Sequence, residues 1–554
     1  MQRFLGWGDD RRRRNDRLAS ALSPRFAGRF DSTQIAEMTN PNSVDIAFIT
    51  FNCAKEFVVP DTFGTHLSKT LAKTGSTDQL PELLVLSLQE ISPLPHAFLG
   101  GSYLKLYFDK FATAVDIAAS KFNSENRVFH KESYTLVKAA NVGMTAVMLF
   151  AIDPLCVENL QVAETSFGTS DMGNKGSVGL RFLYATASEG GDDVSGLVAH
   201  RRETEMTFVA AHFAAMEWNL RVRNQNWRSV MSSLLFDNPE SILPAQTGSS
   251  GTSGSVEAQP LLVGDNSHVN PAVERDEVES QLAALTPADQ KRLHNSTIFK
   301  PSSHVFIAGD LNYRISEESP ESGAKFPSLN PDSEHYHPQF FAKRDQLTNE
   351  MSRGRALHGM QEAPVSFPPT YKYTILPEGD QDASPECNTD ADGNRDSREP
   401  DKVWWKFAEH RWPSWCDRVL FRDVSAAGQE QGMDSIRVSA YDAMPVVKTS
   451  DHRPVILRVT VPLIEPEKLA GSARVADPNA QPQPAPGTNV VDTRIKLPVA
   501  VARDAWERRR TARKKEVAVG STTIGWYSRE GPMVVAGTLA LVAAAYYIGT
   551  YYFG

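Results

Sequence analysis

The sequence predicts an α+β protein in which two packed sheets carry helices on their outer faces. Short apolar runs with the length and composition of buried strands recur between residues 44 and 457. Few helical patterns separate these runs, so two packed sheets with helices outside are the expected architecture. Several of the runs end on a polar or charged side chain, which makes the strand ends the places to look for a functional site.

The composition is that of an ordinary globular protein. The chain has 554 residues, of which 41% are hydrophobic and 23% charged, and this gives room for one large domain or two to three smaller ones. Its formal net charge of −9 argues against a general nucleic-acid binder. The four cysteines are scattered without a CxxC pair, so the sequence predicts a reducing compartment, no disulfide framework and no zinc site.

Two strand ends in the first part of the chain suggest a metal site. The run 44–52 ends on Asn52, and the aliphatic run 83–89 leads into Glu90. Because Mg²⁺ prefers few carboxylates and keeps several waters and substrate oxygens, Glu90 is a plausible metal ligand. An ordinary surface residue at a strand end is the alternative interpretation of Glu90.

Two further segments carry groups that suit a phosphate. The glycine-flanked Asn174 and Lys175 present an amide and an ammonium before a predicted strand, and these groups could hold a phosphate. A simple turn is the alternative for this loop. His212 comes near the end of the run 206–213, where a structural role is the alternative to a catalytic one.

The most informative strand end is the run 305–308, which Gly309 terminates. Asp310 and Asn312 follow two residues apart, and in an extended segment such residues point to the same side. A carboxylate that takes a proton and a carboxamide that donates to an oxyanion would then lie together. A capped strand end with a polar turn is the alternative for this pair.

The last third of the chain adds the remaining candidates. Lys372 stands between two tyrosines after a proline pair, Asp417 begins a predicted strand, and Asp451 and His452 precede the final strand. Together the strand-end groups suit the metal-assisted hydrolysis of a phosphate ester. That reaction needs a cation on the phosphate, a base for the water and donors for the equatorial oxygens.

Outside these runs, the composition predicts less ordered segments. Residues 1–43 are expected to form a disordered basic arm, with weak attraction to anionic lipid as an alternative to simple solvation. Disordered insertions are expected at about 237–295, apart from a short helix near 288–293, and at about 378–401.

The C-terminal region predicts a membrane anchor. Residues 533–553 contain no charged side chain and are about long enough to cross a bilayer as a helix. Residues 466–532 are expected to be a linker with a basic juxtamembrane segment, which would keep the body in the cytosol. A cleavable lipid-anchor signal would require an N-terminal secretory signal, and the N-terminus has no such pattern.

Several motifs, in a fixed order, resemble one enzyme family. They are GDLNYRI at 309–315, PSWCDRVL at 413–420 and SDHRPV at 450–455, supported by MGNKGSVGLRF, FPPTYKY and an LQE triplet. With these motifs, residues 44–465 resemble an inositol polyphosphate 5-phosphatase of the DNase I-like (endonuclease/exonuclease/phosphatase) fold. The resemblance implies a four-layer α/β/β/α sandwich of two mixed sheets, and to this the C-terminal transmembrane helix would be added.

The resemblance also implies a function and a location. With its apolar tail, the chain is most similar to the tail-anchored fungal members of the family. These imply a monomeric, Mg²⁺-dependent phosphatase on the cytosolic face of the endoplasmic-reticulum membrane. Its substrate would be phosphatidylinositol 4,5-bisphosphate, and its lipid product phosphatidylinositol 4-phosphate.

The matched motif positions imply three groups of site residues. Those on the metal side are Glu90, the main ligand, with Asn52 beside the metal and Asp451 supporting it. Those at the transferring phosphoryl group are Asp310, which activates the water, Asn312, which holds a phosphoryl oxygen, His212, His452 and Asp417, which orients His452. Those implied to bind the remainder of the substrate are Asn174, Lys175, Tyr371, Lys372 and Arg411.

The chain also departs from the family pattern, and other functions remain open. Ala210 stands where the family usually has Asn, Met216 replaces a second His, and the first strand keeps only Asn52 of its usual Asn pair. A nuclease or a sphingomyelin hydrolase of the same fold is the nearest enzyme alternative. A non-enzymatic membrane tether is the alternative from another class. The Tyr-Lys-Tyr motif and the acidic body disfavour the first, and the complete acid–base set disfavours the second.

Overall fold

The computed structural model describes residues 42–75, 79–126, 132–186, 201–244, 271–384, 403–472 and 492–527. The predicted N-terminal arm, up to residue 41, and the apolar run 533–553 therefore lie outside the described residues. In the part of the chain that the structure describes, no helix has both the length and the apolar character that a bilayer crossing requires.

The described strands are β1 (Ser43–Asn52), β2 (Leu83–Gln89), β3 (Thr135–Val142), β4 (Thr145–Ala151), β5 (Val157–Ser166), β6 (Gly176–Ala185), β7 (Glu203–His212), β8 (Ser303–Asp310), β9 (Gln361–Glu362), β10 (Tyr373–Leu376), β11 (Trp404–Phe407), β12 (Asp417–Arg422), β13 (Arg437–Ala443) and β14 (Val455–Pro462). The described α-helices are α1 (Pro60–Thr74), α2 (Leu94–Leu99), α3 (Ser102–Glu125), α4 (Leu220–Ser233), α5 (Pro271–Ala283), α6 (Pro287–Ser296), α7 (His337–Arg344), α8 (Gln346–Ser352), α9 (Ala426–Glu430), α10 (Pro466–Gly471) and α11 (Ala505–Tyr527).

Most of the strands form two six-stranded mixed sheets. The first has the order β13-β14-β1-β2-β4-β3 and the second β5-β6-β7-β8-β12-β9, while β10 and β11 form a separate hairpin. Each large sheet has one parallel pair near its centre, and the last pairs in register are Asn52 with Gln89 in one sheet and His212 with Asp310 in the other. Parallel strands end at the same edge, so each sheet delivers its polar strand ends to one place.

The two sheets pack face to face and are covered by helices on the outside. Strand β1 shows the reason, because Phe48 points into the core between the sheets and Ile49 into the core under α1 and α3. Between the sheets, the ring of Phe48 stacks on Phe306 at 4.5 Å and meets Phe208 edge-on at 5.0 Å. A strand buried on both faces needs an almost continuous apolar run, which is what the sequence shows. The predicted α+β class with two packed sheets is therefore confirmed.

The insertion at 237–295 is more ordered than predicted. The short helix expected near 288–293 is α6, but α5 precedes it, so the expectation of disorder was wrong for residues 271–287. Thr286 caps α6 by accepting a hydrogen bond from the backbone N–H of Asp289 at 3.2 Å. Residues 245–270 of this insertion and 385–401 of the second lie outside the described residues.

The predicted linker at 466–532 is also wrong for residues 492–527. Residues 492–504 lie on the body, where Val499 and Val501 are buried in the core that covers the second sheet. They lead into α11, which packs on α2 so closely that a Cβ added to Gly520 would approach Leu99 Cγ to 3.0 Å. The prediction failed because it treated the many charges of this region as solvated, whereas several of them are paired inside the protein.

Candidate active site

The polar strand ends of the two sheets meet at one edge of the sandwich. The side-chain N–H of Asn52, at the end of β1, donates to Asp310 Oδ2 at 3.0 Å. The Nε2 atom of His212 lies 3.3 Å from the same oxygen. Each of these three side chains is at most 3% exposed. Residues that are far apart in the chain thus converge on the Asp310 carboxylate.

The second oxygen of Asp310 is held by the chain itself. Asp310 Oδ1 accepts the backbone N–H of Asn312 at 3.1 Å. Burial alone would raise the pKa of Asp310, but the hydrogen bond from His212 and the nearby charges of His452 and Lys175 outweigh burial. The pKa of this carboxyl therefore lies well below its usual range. Asp310 is ionised at neutral pH and can act as a base.

Asn312 lies in the site, but not in the way predicted. Its backbone has φ +58°, so the segment turns after β8 and does not stay extended. The cause is that the N–H groups of Leu311 and Asn312 both donate to the carbonyl oxygen of Cys416, at 2.8 and 3.3 Å. The side-chain N–H of Asn312 donates to the carbonyl of Phe213 at 3.1 Å, and its oxygen accepts from Arg314.

A buried histidine–carboxylate pair stands on the other side of Asp310. His452 Nδ1 donates to Asp417 Oδ2 at 2.9 Å, and the same oxygen accepts from the Thr370 hydroxyl at 2.7 Å. Burial lowers the pKa of His452, but the charges of Asp417 and Asp310 raise it by more, so that its pKa is about 9. With Nδ1 occupied, the protonated ring keeps Nε2–H as a donor for a ligand.

Glu90 and the lysines around it form the candidate metal side. Glu90 follows β2 directly, with φ +47°, and its carboxylate is 2.8 Å from Lys55 Nζ and 4.0 Å from Lys175 Nζ. Lys175 Nζ also contacts the ring of His212. Burial raises the pKa of Glu90, but His212 and Lys175 lower it more, so its net pKa is below the ordinary value.

The donor set suits a hard cation with few protein ligands. Among the described residues, no three His, Cys, Asp or Glu side chains cluster as a metal cage. Mg²⁺ does not require such a cage, because it is commonly bound by one or two carboxylates plus substrate phosphates and water. The ionised, 22% exposed Glu90 carboxylate fits that requirement. The carboxylate of Asp451 instead binds Lys372 Nζ at 2.5 Å, so its predicted metal role stays a prediction.

The predicted substrate-binding residues lie on two neighbouring turns. The backbone N–H of Ser414 donates to the carbonyl of Tyr371 at 2.7 Å, and that of Ala408 donates to Lys372 at 3.0 Å. These bonds bring the turn that carries Arg411 beside Lys372. The Tyr371 ring lies 4.6 Å from the His452 ring, which connects these turns to the histidine–carboxylate pair.

Asn174 is placed differently from the other predicted contacts. Its side-chain oxygen accepts the backbone N–H of Thr169 at 3.1 Å, so it holds its own loop. The neighbouring Lys175, in contrast, enters the cluster of Glu90 and His212. The structure thus brings Lys175 to the site and gives Asn174 a local contact.

Three site residues escaped the sequence reasoning. Arg314 is buried, lies over the Tyr371 ring at 4.2 Å and holds Asn312; its place within the GDLNYRI motif was the only sequence signal. Thr370 supports Asp417, as described above. Glu217 is fully buried with its Oε1 atom 3.6 Å from Arg411 Nε, and nothing local in the sequence indicates this contact.

The fold and the site define the class of protein. Residues 49–458 match the family described as Endonuclease/Exonuclease/phosphatase family 2. Because the match spans most of the chain, the chain belongs to this family.

The relatives narrow the resemblance further. The chain is similar to type II inositol polyphosphate 5-phosphatase 14 of Arabidopsis thaliana, with 28% identity over 305 residues, which are 54% of this chain and 20% of the relative. Human synaptojanin-1 is 24% identical over 348 residues, which are 59% of this chain and 15% of the relative. The resemblance to inositol polyphosphate 5-phosphatases is confirmed, although the chain spans only a fifth or less of the length of these two relatives.

The chain is also similar to a solved structure. It is the inositol polyphosphate 5-phosphatase domain of SPsynaptojanin in complex with inositol (1,4)-bisphosphate and calcium ion. It is 17% identical to this chain with a TM-score of 0.45, and the match covers 89% of this chain and 98% of that chain.

Proposed function

We propose that this protein is a Mg²⁺-dependent phosphatase that removes the 5-phosphate of phosphatidylinositol 4,5-bisphosphate and leaves phosphatidylinositol 4-phosphate. The main supporting observation is the ionised, buried carboxylate of Asp310. Asn52 of the first sheet donates a hydrogen bond to it, and the imidazole of His212 in the second sheet contacts it. The relatives, which are named as inositol polyphosphate 5-phosphatases, support this substrate class.

In the proposed reaction, Asp310 orients a water molecule and takes its proton. The water attacks the phosphorus of the 5-phosphate and the bond to the ring oxygen breaks. The ring oxygen takes a proton from solvent and becomes a hydroxyl, inorganic phosphate leaves, and Asp310 returns its proton to solvent. A low pKa makes Asp310 a weak base, but it also ensures that the carboxylate is present at neutral pH. His452, protonated up to about pH 9, and Lys175 donate to phosphoryl oxygens, where negative charge must be stabilised.

Glu90 would hold the Mg²⁺, with Asn52 beside it. When bound, the metal supplies positive charge to the phosphate and to the leaving oxygen. Glu90 is suited to this because it is ionised and faces two ammonium groups, which shows that its oxygens already attract cations.

The second phosphate of the substrate would be bound by fixed cations. Lys372 and Arg411 lie on adjoining turns next to Tyr371, and both side chains are partly exposed. A phosphate on the neighbouring ring position would replace Asp451 as the partner of Lys372. A nuclease has no need for such a cation pair next to the reacting phosphate, so this feature favours the inositol phosphatase over a nuclease.

The proposed location is the cytosolic face of the endoplasmic-reticulum membrane. There residues 533–553 would anchor a monomeric enzyme next to its lipid substrate. The supporting observation is the uncharged length of this run in the sequence. Deletion of residues 533–554 should release the protein from membranes while it still dephosphorylates a soluble inositol phosphate. Continued membrane residence would refute the anchor.

The test of the function is a substrate panel with the purified full-length protein. Phosphate release is measured from vesicles that contain each phosphoinositide and from soluble inositol phosphates, with and without Mg²⁺. The proposal expects turnover of substrates that carry a 5-phosphate beside a 4-phosphate, and only with a divalent cation. Turnover of DNA or sphingomyelin without turnover of any inositol phosphate would assign the site to another enzyme class. Inactivity on every substrate would favour a membrane tether.

A further inference from the structure

The C-terminal helix α11 lies beyond the family match, which ends at residue 458, yet it contacts a loop of the candidate site. Its Glu516 side chain is fully buried, and Oε1 accepts the backbone N–H of Gly173 at 2.9 Å. Gly173 lies two residues before Lys175, whose ammonium faces Glu90 and His212. A buried carboxylate on an added helix therefore holds the backbone of a site loop.

Two arginines of the same helix compensate the buried charge of Glu516. Arg509 Nη1 lies 2.6 Å from Oε1, and Arg513 Nη1 lies 3.4 Å from Oε2. Arg513 also donates to the carbonyl of Leu99 at 2.8 Å and contacts that of Phe98, at the end of α2. Because a buried carboxylate is costly without partners, this arrangement fixes the position of Glu516.

A continuous series of backbone hydrogen bonds runs from Glu516 to the metal side of the site. The carbonyl of Gly173 accepts the N–H of Met144 at 2.9 Å, and the carbonyl of Met144 accepts the N–H of Ile91 at 3.3 Å. Ile91 is bonded directly to Glu90. Glu516 thus fixes the segment that precedes Lys175 and, through Met144, the segment that follows Glu90.

We propose that Glu516 is a positioning residue for the phosphatase site, and that α11 is part of the scaffold of the active site. Glu516 keeps the spacing of 4.0 Å between Lys175 Nζ and Glu90 by holding Gly173. This inference rests on the proposed function, because Lys175 and Glu90 are given their roles there. Small displacements of groups that bind the reacting phosphate reduce turnover strongly, by as much as about a hundredfold for 1 Å.

The test compares variants of the full-length protein. Glu516→Ala should lower kcat/KM by about ten- to a hundredfold, because the Gly173 N–H loses its acceptor and the loop can move. Glu516→Gln keeps an oxygen that can accept this N–H. Its kcat/KM should therefore stay within about threefold of the wild-type value. Glu507→Ala, the same substitution at an exposed position of α11, is the matched control and should leave kcat/KM unchanged.

A readout independent of turnover is amide hydrogen exchange in the metal-free protein. Glu516→Ala should speed exchange in the peptide that spans residues 167–176, and Glu507→Ala should not. If that peptide exchanges at the wild-type rate in Glu516→Ala, the inference is overturned even when the enzyme is active. If exchange changes as expected but the wild-type protein turns over no inositol phosphate, the proposed function fails and the structural role of Glu516 stands.

A double-mutant cycle separates positioning from general stability. In a Lys175→Ala background, Glu516→Ala should cost at least about fivefold less in kcat/KM than it does alone, since coupled residues are not additive. Equal losses in the two backgrounds would make Glu516 a general stability residue and overturn the proposal. If Glu516→Ala does not fold, the same cycle is measured with Glu516→Asp, whose shorter side chain draws the carboxylate away from the Gly173 N–H.

Discussion

Replacing Asp310 by Asn tests the proposed base with the smallest change of shape. The substitution keeps one oxygen that can accept the N–H of Asn312, now 3.1 Å away, but it removes the negative charge and the proton acceptor. A positioned general base contributes about 10²- to 10⁴-fold to a rate, which corresponds to about 3 to 5 kcal/mol. We therefore expect kcat to fall by at least about a hundredfold.

The same substitution has a calculable effect on stability. In the wild-type protein, Asp310 Oδ2 accepts the side-chain N–H of Asn52 at 3.0 Å and lies 3.3 Å from His212 Nε2. An amide nitrogen in the position of Oδ2 would turn one of these contacts into a donor–donor pair. A hydrogen bond to a charged group contributes about 1.5 to 3 kcal/mol. At about 2 °C per kcal/mol for a protein of this size, Tm should fall by about 3 to 6 °C.

The assay measures phosphate release and thermal unfolding on the same preparations. Asp45→Asn is the control, because Asp45 pairs with Arg458 at 2.6 Å near the opposite end of β1. Asp45 lies seven positions before Asn52, which corresponds to about 23 Å along a strand. The control should lose some stability and keep its kcat. Retention of more than a tenth of the wild-type kcat by Asp310→Asn would refute the assignment of Asp310 as the base.

Three further outcomes follow from the site. The kcat/KM of the wild-type protein should fall tenfold per pH unit above about pH 9, because His452 loses the proton that Asp417 stabilises. The pH profile of His452→Gln should lack this decrease, and a wild-type profile that is flat to pH 10 would contradict the role of His452. Removal of divalent cations with a chelator should abolish turnover. In a Mg²⁺ titration, Glu90→Gln should raise the concentration needed for half-maximal activity by at least about tenfold, and an unchanged concentration would exclude Glu90 as a ligand. Lys372→Met should raise KM by about ten- to a hundredfold for substrates with a 4-phosphate and leave substrates without one unaffected, and an equal effect on both would place Lys372 outside that subsite.

The strand ends could be predicted from sequence because their signal is local. An apolar run that stops at a polar residue identifies both the strand and its terminal side chain, as with Asn52, His212 and Asp310. The packing of two sheets was predicted from the strand runs, but the mixed parallel and antiparallel order within each sheet was implied only by the resemblance, since strand pairing depends on partners that are distant in the chain. For the same reason the roles implied for Asp417 and His452 needed the family motifs, although their contact at 2.9 Å is plain in the structure.

What could not be predicted depends on tertiary contacts. The turned backbone of Asn312 follows from the position of the Cys416 carbonyl, which no local pattern reveals. Glu217 lies in an ordinary polar stretch, and only the fold buries it beside Arg411. The sequence predicts that the basic segment before the apolar tail is a juxtamembrane part of a linker. Its arginines instead neutralise Glu516, and a sequence pattern does not distinguish a charge that faces water from one that faces a buried partner.

The proposed roles of the described residues share one requirement, namely that they act on a single phosphate at a single ring position. The most direct measurement is the position of the phosphate that is removed, determined by ³¹P NMR of the product that the purified full-length protein makes from inositol 1,4,5-trisphosphate with Mg²⁺. We predict that only the 5-phosphate is released and that Asp310→Asn releases none at a comparable rate. Release of the 4-phosphate, or cleavage by the protein with Asn at position 310 at the wild-type rate, would contradict the proposed mechanism.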